Sequence, residues 1–480
     1  MPLDRRRLLE LSSAAALTAC SRPAPPPAKA DHTIRIADTK IELAPGVEVT
    51  TTAYNGQVPG PPIRLTEGRP VTVDIINDTA RPEQVHWHGQ KVPVDVDGSA
   101  EEGTPFVPAQ GSRRITFRPG AAGLRMYHTH RMAGSDLTAG LYSGQVGPVY
   151  IEPRREPGRY DREVFLTLKE FEPSLSQGGD MTMDFLAGEE DRALKAQGEG
   201  AMMASLAHGA PHGYEVGYKH FAINGRILGH GDPIRVKQGE RVLLHVVNGS
   251  AGEIRSLALP GHVFQVVAMD GNPVPTPVDV PVLWLGAAER VSAIVEMNHP
   301  GIWILGDTSD DDRGNGMGIV VEYAGAKGPA QWAKPPAAKW DYTRFGQPAG
   351  LAEPPDQVFD MTFVKDNAAL HGFNRWTING EAFDDVHMAP MFRISQGRRY
   401  RIRMANASDD IHPIHLHRHS FELTHVHGRP TAGVLKDVVM LGGYQKLEVD
   451  FTADDPGRTL FHCHQQLHMD FGFMCLFDYA

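Results

Sequence analysis

Residues 460–474 hold the densest run of metal-ligating side chains in the chain, with Cys463 between His462 and His464 and a further imidazole at His468. A thiolate with two imidazoles is a soft, trigonal donor set that selects copper for electron transfer. If the run is a strand, successive side chains leave on opposite faces. Cys463 would then bind one metal while His462 and His464 face others, and electrons arriving at its sulfur would have a short covalent path onward. The competing reading is a buried cysteine among core histidines.

Three more motifs carry paired histidines: His86-Trp87-His88-Gly89, His128-Thr129-His130, and His412-Pro413-Ile414-His415-Leu416-His417. One His-x-His on a strand is more often structural than a metal ligand, so the motifs have to be weighed together, and a repeat makes that possible. Three stretches share an Asn-Gly pair, a strand-like run, a Gly, alternating apolar residues and an Asn: Asn55-Gly56 to Asn77, Asn224-Gly225 to Asn248, and Asn379-Gly380 to Asn406. The spacings Gly68 to Asn77, Gly239 to Asn248 and Gly397 to Asn406 are each nine residues. The units recur at 171 and 158 residues, the size of a domain and not of a solenoid repeat. Nine residues beyond Asn77 and Asn406 stand His86 and His415, whereas Leu257 stands at that place after Asn248, with Leu259 beyond it. The ends of the units repeat the contrast: Met126-Tyr-His128-Thr-His130 and Leu460-Phe-His462-Cys-His464, against Ile304-Leu-Gly-Asp-Thr308. Pairs present together in two copies and absent together from the third are ligands, not core histidines. On this reading the first and third units carry metal and the second is a spacer. Ten of the 23 histidines belong to the motifs; the others, among them His262, His419, His425 and His427, are read as structural or surface residues.

The elements that position these residues read as β throughout. Runs such as Arg69-Pro-Val-Thr-Val-Asp-Ile-Ile and Arg399-Tyr-Arg-Ile-Arg-Met alternate apolar and polar residues between turn residues, the pattern of antiparallel sandwiches. The expected architecture is all-β, three tandem Greek-key β-sandwich domains, at 31–155, 156–325 and 357–480, with a linker at 326–356. At 480 residues the chain is too long for one core.

Ahead of the domains, Arg5-Arg6-Arg7-Leu8-Leu9 and the short apolar run after it read as a twin-arginine export signal over residues 1–20. The run is too short and too interrupted, by Glu10, to span a bilayer. Leu17-Thr18-Ala19-Cys20 resembles a lipobox, which would put a lipid on Cys20, and the Pro-rich stretch in 21–30 suits a tether. A periplasmic or cell-envelope location follows. The whole chain has 47 Lys+Arg against 58 Asp+Glu, a net charge of −11, and loss of residues 1–19 would leave it near −12. That balance argues against nucleic acid or an anionic membrane surface as partner. With Cys20 at the signal boundary and Cys463 as a ligand, only Cys475 remains, so no disulfide framework is expected.

With these motifs in hand, everything after residue 30 resembles a three-domain, laccase-like multicopper oxidase of bacterial type, whose domains are cupredoxin-like. The resemblance implies four coppers per chain. His412, Cys463 and His468 would hold the type 1 copper; His86 and His415 the type 2 copper; His88, His128 and His464 one type 3 copper; His130, His417 and His462 the other. Domains one and three would have to close on each other around the trinuclear cluster. Electrons taken from a reductant at the type 1 site would pass through Cys463 and reduce dioxygen to water. Asp97, eleven residues after His86, matches a carboxylate that the family keeps for proton delivery; its other reading is a turn residue before Gly98. The family's axial neighbour of the type 1 copper lies ten residues after the cysteine, which is Phe473 here. Met474 could take that place only through a bulge.

The expected reductants are phenols and aromatic amines. An alternative is a metallo-oxidase that oxidises Cu(I), for which thioethers near the type 1 site would speak. Residues 172–218 do contain Met181, Met183, Met202, Met203, His208 and His212, but sparsely. A third alternative, a copper-free envelope scaffold of the same fold, is opposed by the intact ligand set.

Overall fold

Each Asn-Gly pair of the repeat closes a tight turn in a computed structural model of the chain, which describes residues 29–153, 159–176, 185–207, 213–348, 354–384 and 386–480. Asn55, Asn224 and Asn379 have φ of 54°, 53° and 55°, and the glycines after them 74°, 74° and 86°. Two successive left-handed residues are what a two-residue hairpin turn of this hand requires, and Asn and Gly tolerate them best. Each asparagine also grips the strand beside it. The side-chain oxygens accept from Arg35 N at 2.7 Å, Thr167 N at 2.8 Å and Thr362 N at 2.8 Å.

The asparagines that close the repeat are equally matched. Nδ2 of Asn77 donates to Arg81 O (2.7 Å) and Val107 O (3.2 Å), that of Asn248 to Glu253 O and Leu285 O (both 2.9 Å), and that of Asn406 to Asp410 O (2.7 Å) and Gly442 O (3.1 Å). All three are fully buried, where an unmade backbone bond would cost about 1–3 kcal/mol. Each ends a strand paired in parallel with the first long strand of its own unit, in the registers Ile36↔Asn77, Leu168↔Asn248 and Phe363↔Asn406.

Three pairs of sheets follow one another along the chain. Four- and three-stranded sheets form the first sandwich, six- and five-stranded sheets the second, and seven- and five-stranded sheets the third. Alternation along Val71–Asn77 buries Val71, Val73, Ile75 and Asn77 and leaves the residues between them half-buried. One hydrophobic core runs through the second and third sandwiches, whereas most of the first sandwich's core is separate. Helices are few: Arg192–Ala207 lies against the strand Gln357–Leu370, and the short Gln466–Asp470 follows Cys463 directly.

The repeat also fixes the motif registers. His86 and His128 exchange backbone hydrogen bonds (2.7 and 3.1 Å), and His415 lies opposite His462. In the second sandwich the same place is taken by Leu257 opposite Asp307. Among the described helices none is long and apolar enough to cross a membrane. The residues read as export signal and lipobox, with Cys20, lie outside the described residues, as do Met181, Met183, His208 and His212. Met202 and Met203 sit on the helix Arg192–Ala207, Met203 being exposed.

Candidate metal centres

The strands His412–Leu416 and Thr459–Cys463 lie side by side in the five-stranded sheet of the third sandwich. Ile414 is opposite Cys463 and His415 opposite His462, so the thiol leaves one face of the sheet and the imidazoles the other. On the thiol's side, His412 Nδ1 and His468 Nδ1 are 3.2 Å apart, and each is 3.6 Å from Cys463 Sγ. His468 arrives from the helix Gln466–Asp470, which turns the chain back over the cysteine. A cation at bonding distance of about 2.0–2.3 Å from all three donors would impose this spacing. Burial pushes the Cys463 thiol far up, so a thiolate here needs a bound cation to form.

Phe473 and Met474 part company at this site. Phe473 shares the core that holds Cys463, and its ring is 4.8 Å from that of His412. Met474 pairs with His462 and packs instead with Leu460, Met469 and Leu476 on the other side of the sheet. The remaining wall is Trp376, 4.1 Å from the His468 ring and 4.9 Å from that of His412. Sequence reasoning passed over Trp376, which stands in the strand of the third Asn-Gly turn and carries no motif of its own.

On the other face, eight imidazoles from the first and third sandwiches converge. His88, His128 and His464 form one trio and His130, His417 and His462 another, while His86 and His415 meet beside His88. All eight are buried. Their nitrogens confront one another: His417 Nε2 to His462 Nε2 is 3.1 Å, His88 Nδ1 to His128 Nε2 is 3.2 Å, and His464 Nε2 to His128 Nε2 is 3.4 Å. Among the described residues His86 Nε2, His415 Nε2 and His130 Nε2 have no hydrogen-bond partner, and His130 Nδ1 faces Glu101 Oε2 at 3.6 Å. Burial, followed by the neighbouring imidazoles, drives the pKa of His88, His128, His415, His417, His462 and His464 well below the usual value. Neutral imidazoles with facing lone pairs repel one another until a cation stands between them, so the donor set fits metal and little else.

The outer nitrogens are tied down, which fixes the tautomers. Nδ1–H of His128 donates to Thr129 O (2.7 Å), that of His462 to Cys463 O (2.8 Å) and that of His415 to Asp437 O (2.7 Å). His88 is bound in reverse, through Nε2–H to Asp437 Oδ1 at 3.0 Å, which turns Nδ1 inward. Asp97 Oδ2 accepts from His86 Nδ1 (3.1 Å) and His417 Nδ1 (2.9 Å). Those three residues could themselves surround an ion. The nitrogens at Asp97 are nonetheless the outer ones, at hydrogen-bond length, and Nε2 of both rings points to the other clusters.

Asp97 is held where it is by Gly98, whose φ of 98° and contact with Val85 O and His86 Cα leave no room for a Cβ. Its Oδ1 is buried and unpartnered. Glu102, which the sequence did not single out, lies beside it, 3.5 Å from His417 Nδ1, and accepts from Leu460 N at 2.6 Å. Burial and then the charge of Asp97 raise Glu102 well above the usual carboxylate range. For Asp97, burial is outweighed by His86 and Arg418 and the pKa is lowered. Of the two neighbouring carboxyls, Glu102 is thus the weaker acid and Asp97 the stronger.

Three sequence profiles of multicopper oxidases match residues 35–156, 196–325 and 353–480. The chain belongs to the multicopper oxidase family. Copper is accordingly its cofactor, dioxygen its electron acceptor, and its fold three tandem cupredoxin-like domains. The oxidase is 29% identical over 451 residues to multicopper oxidase MmcO of Mycobacterium tuberculosis (strain ATCC 25618 / H37Rv), covering 92% of this chain and 85% of that one. To bilirubin oxidase of Albifimbria verrucaria it is 25% identical, over 88% of this chain and 72% of the other. A solved metallo-oxidase from Campylobacter jejuni has the same fold, with a TM-score of 0.68 at 20% identity, covering 93% and 91% of the two chains.

The second domain of the oxidase does more than separate the other two. Arg290 grips Asp437 through two hydrogen bonds of 2.6 Å, and Asp437 is the residue that orients His88 and His415. Lys436 bridges Asp270 (2.9 Å) and Glu289 (3.0 Å) in the same buried network. Such buried ions add little net stability, and these tie the second domain to the residue that orients His88 and His415.

Proposed function

We propose that the oxidase takes single electrons from phenols and aromatic amines at the His412, Cys463 and His468 site and delivers them to dioxygen at the histidine cluster. The observation that carries this reading is the position of Cys463 in sequence and sheet. Its sulfur belongs to one donor set while its two chain neighbours belong to the two trios of the other, so the sites are joined through one residue's backbone. Copper bound there would supply the one-electron steps and the multi-electron reduction of oxygen.

The chain's own residues do the rest. His412 is held by Ser408 Oγ (2.9 Å), which leaves Nδ1 free for the metal. Phe473 and Trp376 wall the site with rings and carry no sulfur, so a copper held there would be favoured in its reduced form and have a high potential. Asp97 holds the outer protons of His86 and His417 and, with Glu102, keeps a proton within reach of the cluster for oxygen reduction. A high potential suits phenols better than the easily oxidised cuprous ion, and the metallo-oxidase reading ranks second for that reason. Export by the twin-arginine route and lipid on Cys20 remain part of the proposal on sequence grounds alone; incorporation of labelled palmitate that persists in Cys20→Ala would remove the anchor.

Cys463→Ser tests the central assignment. It should abolish the intense thiolate absorption and substrate oxidation and reduce the copper content from about four to about three per chain. A variant that keeps the absorption would overturn the reading.

A further inference from the structure

A cavity of about 270 Å³ opens against His468 where the three domains meet. Its wall includes Tyr142, Glu215, Tyr218, Glu253 and Asp410 beside the His468 imidazole. The cavity lies where electrons enter on the reading above, and from its geometry we infer that it selects aromatic reductants carrying a positive charge. The inference rests on the reading above, in which His468 is where electrons enter.

Three carboxyl side chains face a space large enough for one aromatic ring, and the cations around them are few. Asp410 already has Lys365 at 3.0 Å. For Glu215 the contact is the neutral Asn374 Nδ2, at 3.3 Å, and for Glu253 the nearest cation, Arg255, stands 3.9 Å away. Burial pushes Glu215 up to about 8 and Glu253 to about 7, so a cation bound beside them would favour their ionised forms. Glu215 is also raised by Asp410, Asp409 and Glu253 against Lys365, and Glu253 by Glu170, Asp312 and Asp307 against Arg255. The second observation is Tyr142. It is 5% exposed, and its hydroxyl, which burial and then the charges of Asp470 and Glu215 keep protonated, has no hydrogen-bond partner among the described residues. A buried hydroxyl without a partner at a cavity wall leaves a bond for a ligand to make.

Ring and charge together point to an organic cation. Tyr142 and Tyr218 offer aromatic faces, and Leu467, Val216 and Ala251 complete an apolar lining. A bare metal ion would need several carboxylate oxygens converging on one point. Among the described residues, neither Glu215, Glu253 nor Asp410 belongs to any group of three or more close enough to ligate an ion.

The test uses the copper-loaded enzyme and three reductants sharing a 4-hydroxy-3-methoxyphenyl ring: 3-methoxytyramine, a cation; 4-methylguaiacol, neutral; and homovanillate, an anion. Measured above about pH 8, where Glu215 and Glu253 are ionised, the expected order of kcat/KM is cation, neutral, anion, with at least about tenfold between the extremes, since a unit charge near buried carboxylates is worth that much. Glu215→Gln and Glu253→Gln, made separately in variants that retain the thiolate absorption, should each shrink the cation-to-anion ratio severalfold. Calorimetric binding of phenethylammonium, which is not oxidised, should weaken in the same variants and in Tyr142→Phe. Equal rates for all three phenols, or unchanged phenethylammonium binding in every variant, would overturn the selectivity while leaving electron entry at His468 intact. Oxidation of none of the three would instead sink the parent reading. Ferrous ion oxidised with a dependence on Glu215 and Glu253 greater than that of 3-methoxytyramine would replace the organic cation by a metal.

Discussion

At the scale of single residues, the proposed type 1 site of His412, Cys463 and His468 is set as much by a neighbour without a donor atom as by its donors. Phe473 lies against His412 where a thioether could have been, and Met474 is directed across the sheet by its pairing with His462. Phe473→Met should therefore lower the type 1 potential in a redox titration and slow the oxidation of high-potential phenols. Met474→Leu should change the potential little, since a volume-conserving exchange in that cluster costs less than about 1.5 kcal/mol. The reverse pattern would mean that Met474, and not Phe473, is the neighbour of the metal. Asp97→Asn keeps the shape but removes the carboxylate charge that faces two Nδ1–H groups and cannot take up a proton. In stopped flow, reoxidation by oxygen should slow by roughly 10²-fold or more, the scale of general acid catalysis, while reduction by substrate changes much less. Equal slowing of both half-reactions would give Asp97 a structural role only.

At the scale of elements, the repeat asparagines are the fasteners, and one of them is tied to a metal ligand. Asn406 Oδ1 accepts from Ser408 Oγ at 2.7 Å, and Ser408 Oγ accepts in turn from His412 Nε2 at 2.9 Å. Asn248→Ala and Asn406→Ala each orphan buried backbone carbonyls and should cost about 2–4 kcal/mol of stability in denaturant titration. Asn406→Ala alone should also shift the thiolate absorption, because His412 loses its orienting chain. If both variants left the spectrum unchanged, the Asn406, Ser408 and His412 chain would have no hold on the metal. The glycine after Asp97 is constrained in the same local way: Gly98→Ala would drive a methyl into Val85 O.

For the whole molecule, the metal cluster is also a joint. Its histidines come from the first and third domains, and around it Glu102 binds Leu460 N, Asp470 Oδ2 accepts from Ala133 N and Gly134 N, and Gln466 Oε1 accepts from Leu141 N. Stripping copper leaves facing lone pairs across that joint, so the melting temperature should fall by at least about 5 °C and recover on reloading. No change on copper removal would show that the domain contacts hold without the ions. Arg290, in the second domain, belongs to the same joint through Asp437.

The sequence by itself determined the chemistry and the fold class. Ligand identity depends on residue type and spacing, and the Asn-Gly turns, strand alternation and nine-residue spacings are local regularities that survive in one dimension. The second copy of the repeat, with Leu257 where His86 and His415 stand in the other two, also set the paired histidines apart from the rest. Only the tertiary structure decided who supports them. Glu102, Asp437, Arg290 and Trp376 carry no periodic signal, because each acts across a sheet or a domain boundary, in contacts such as Arg290 to Asp437 that are 147 residues apart. The cavity at His468 is of the same kind: Tyr142, Glu215, Glu253 and Asp410 come from all three domains, and only packing brings their charges to one wall.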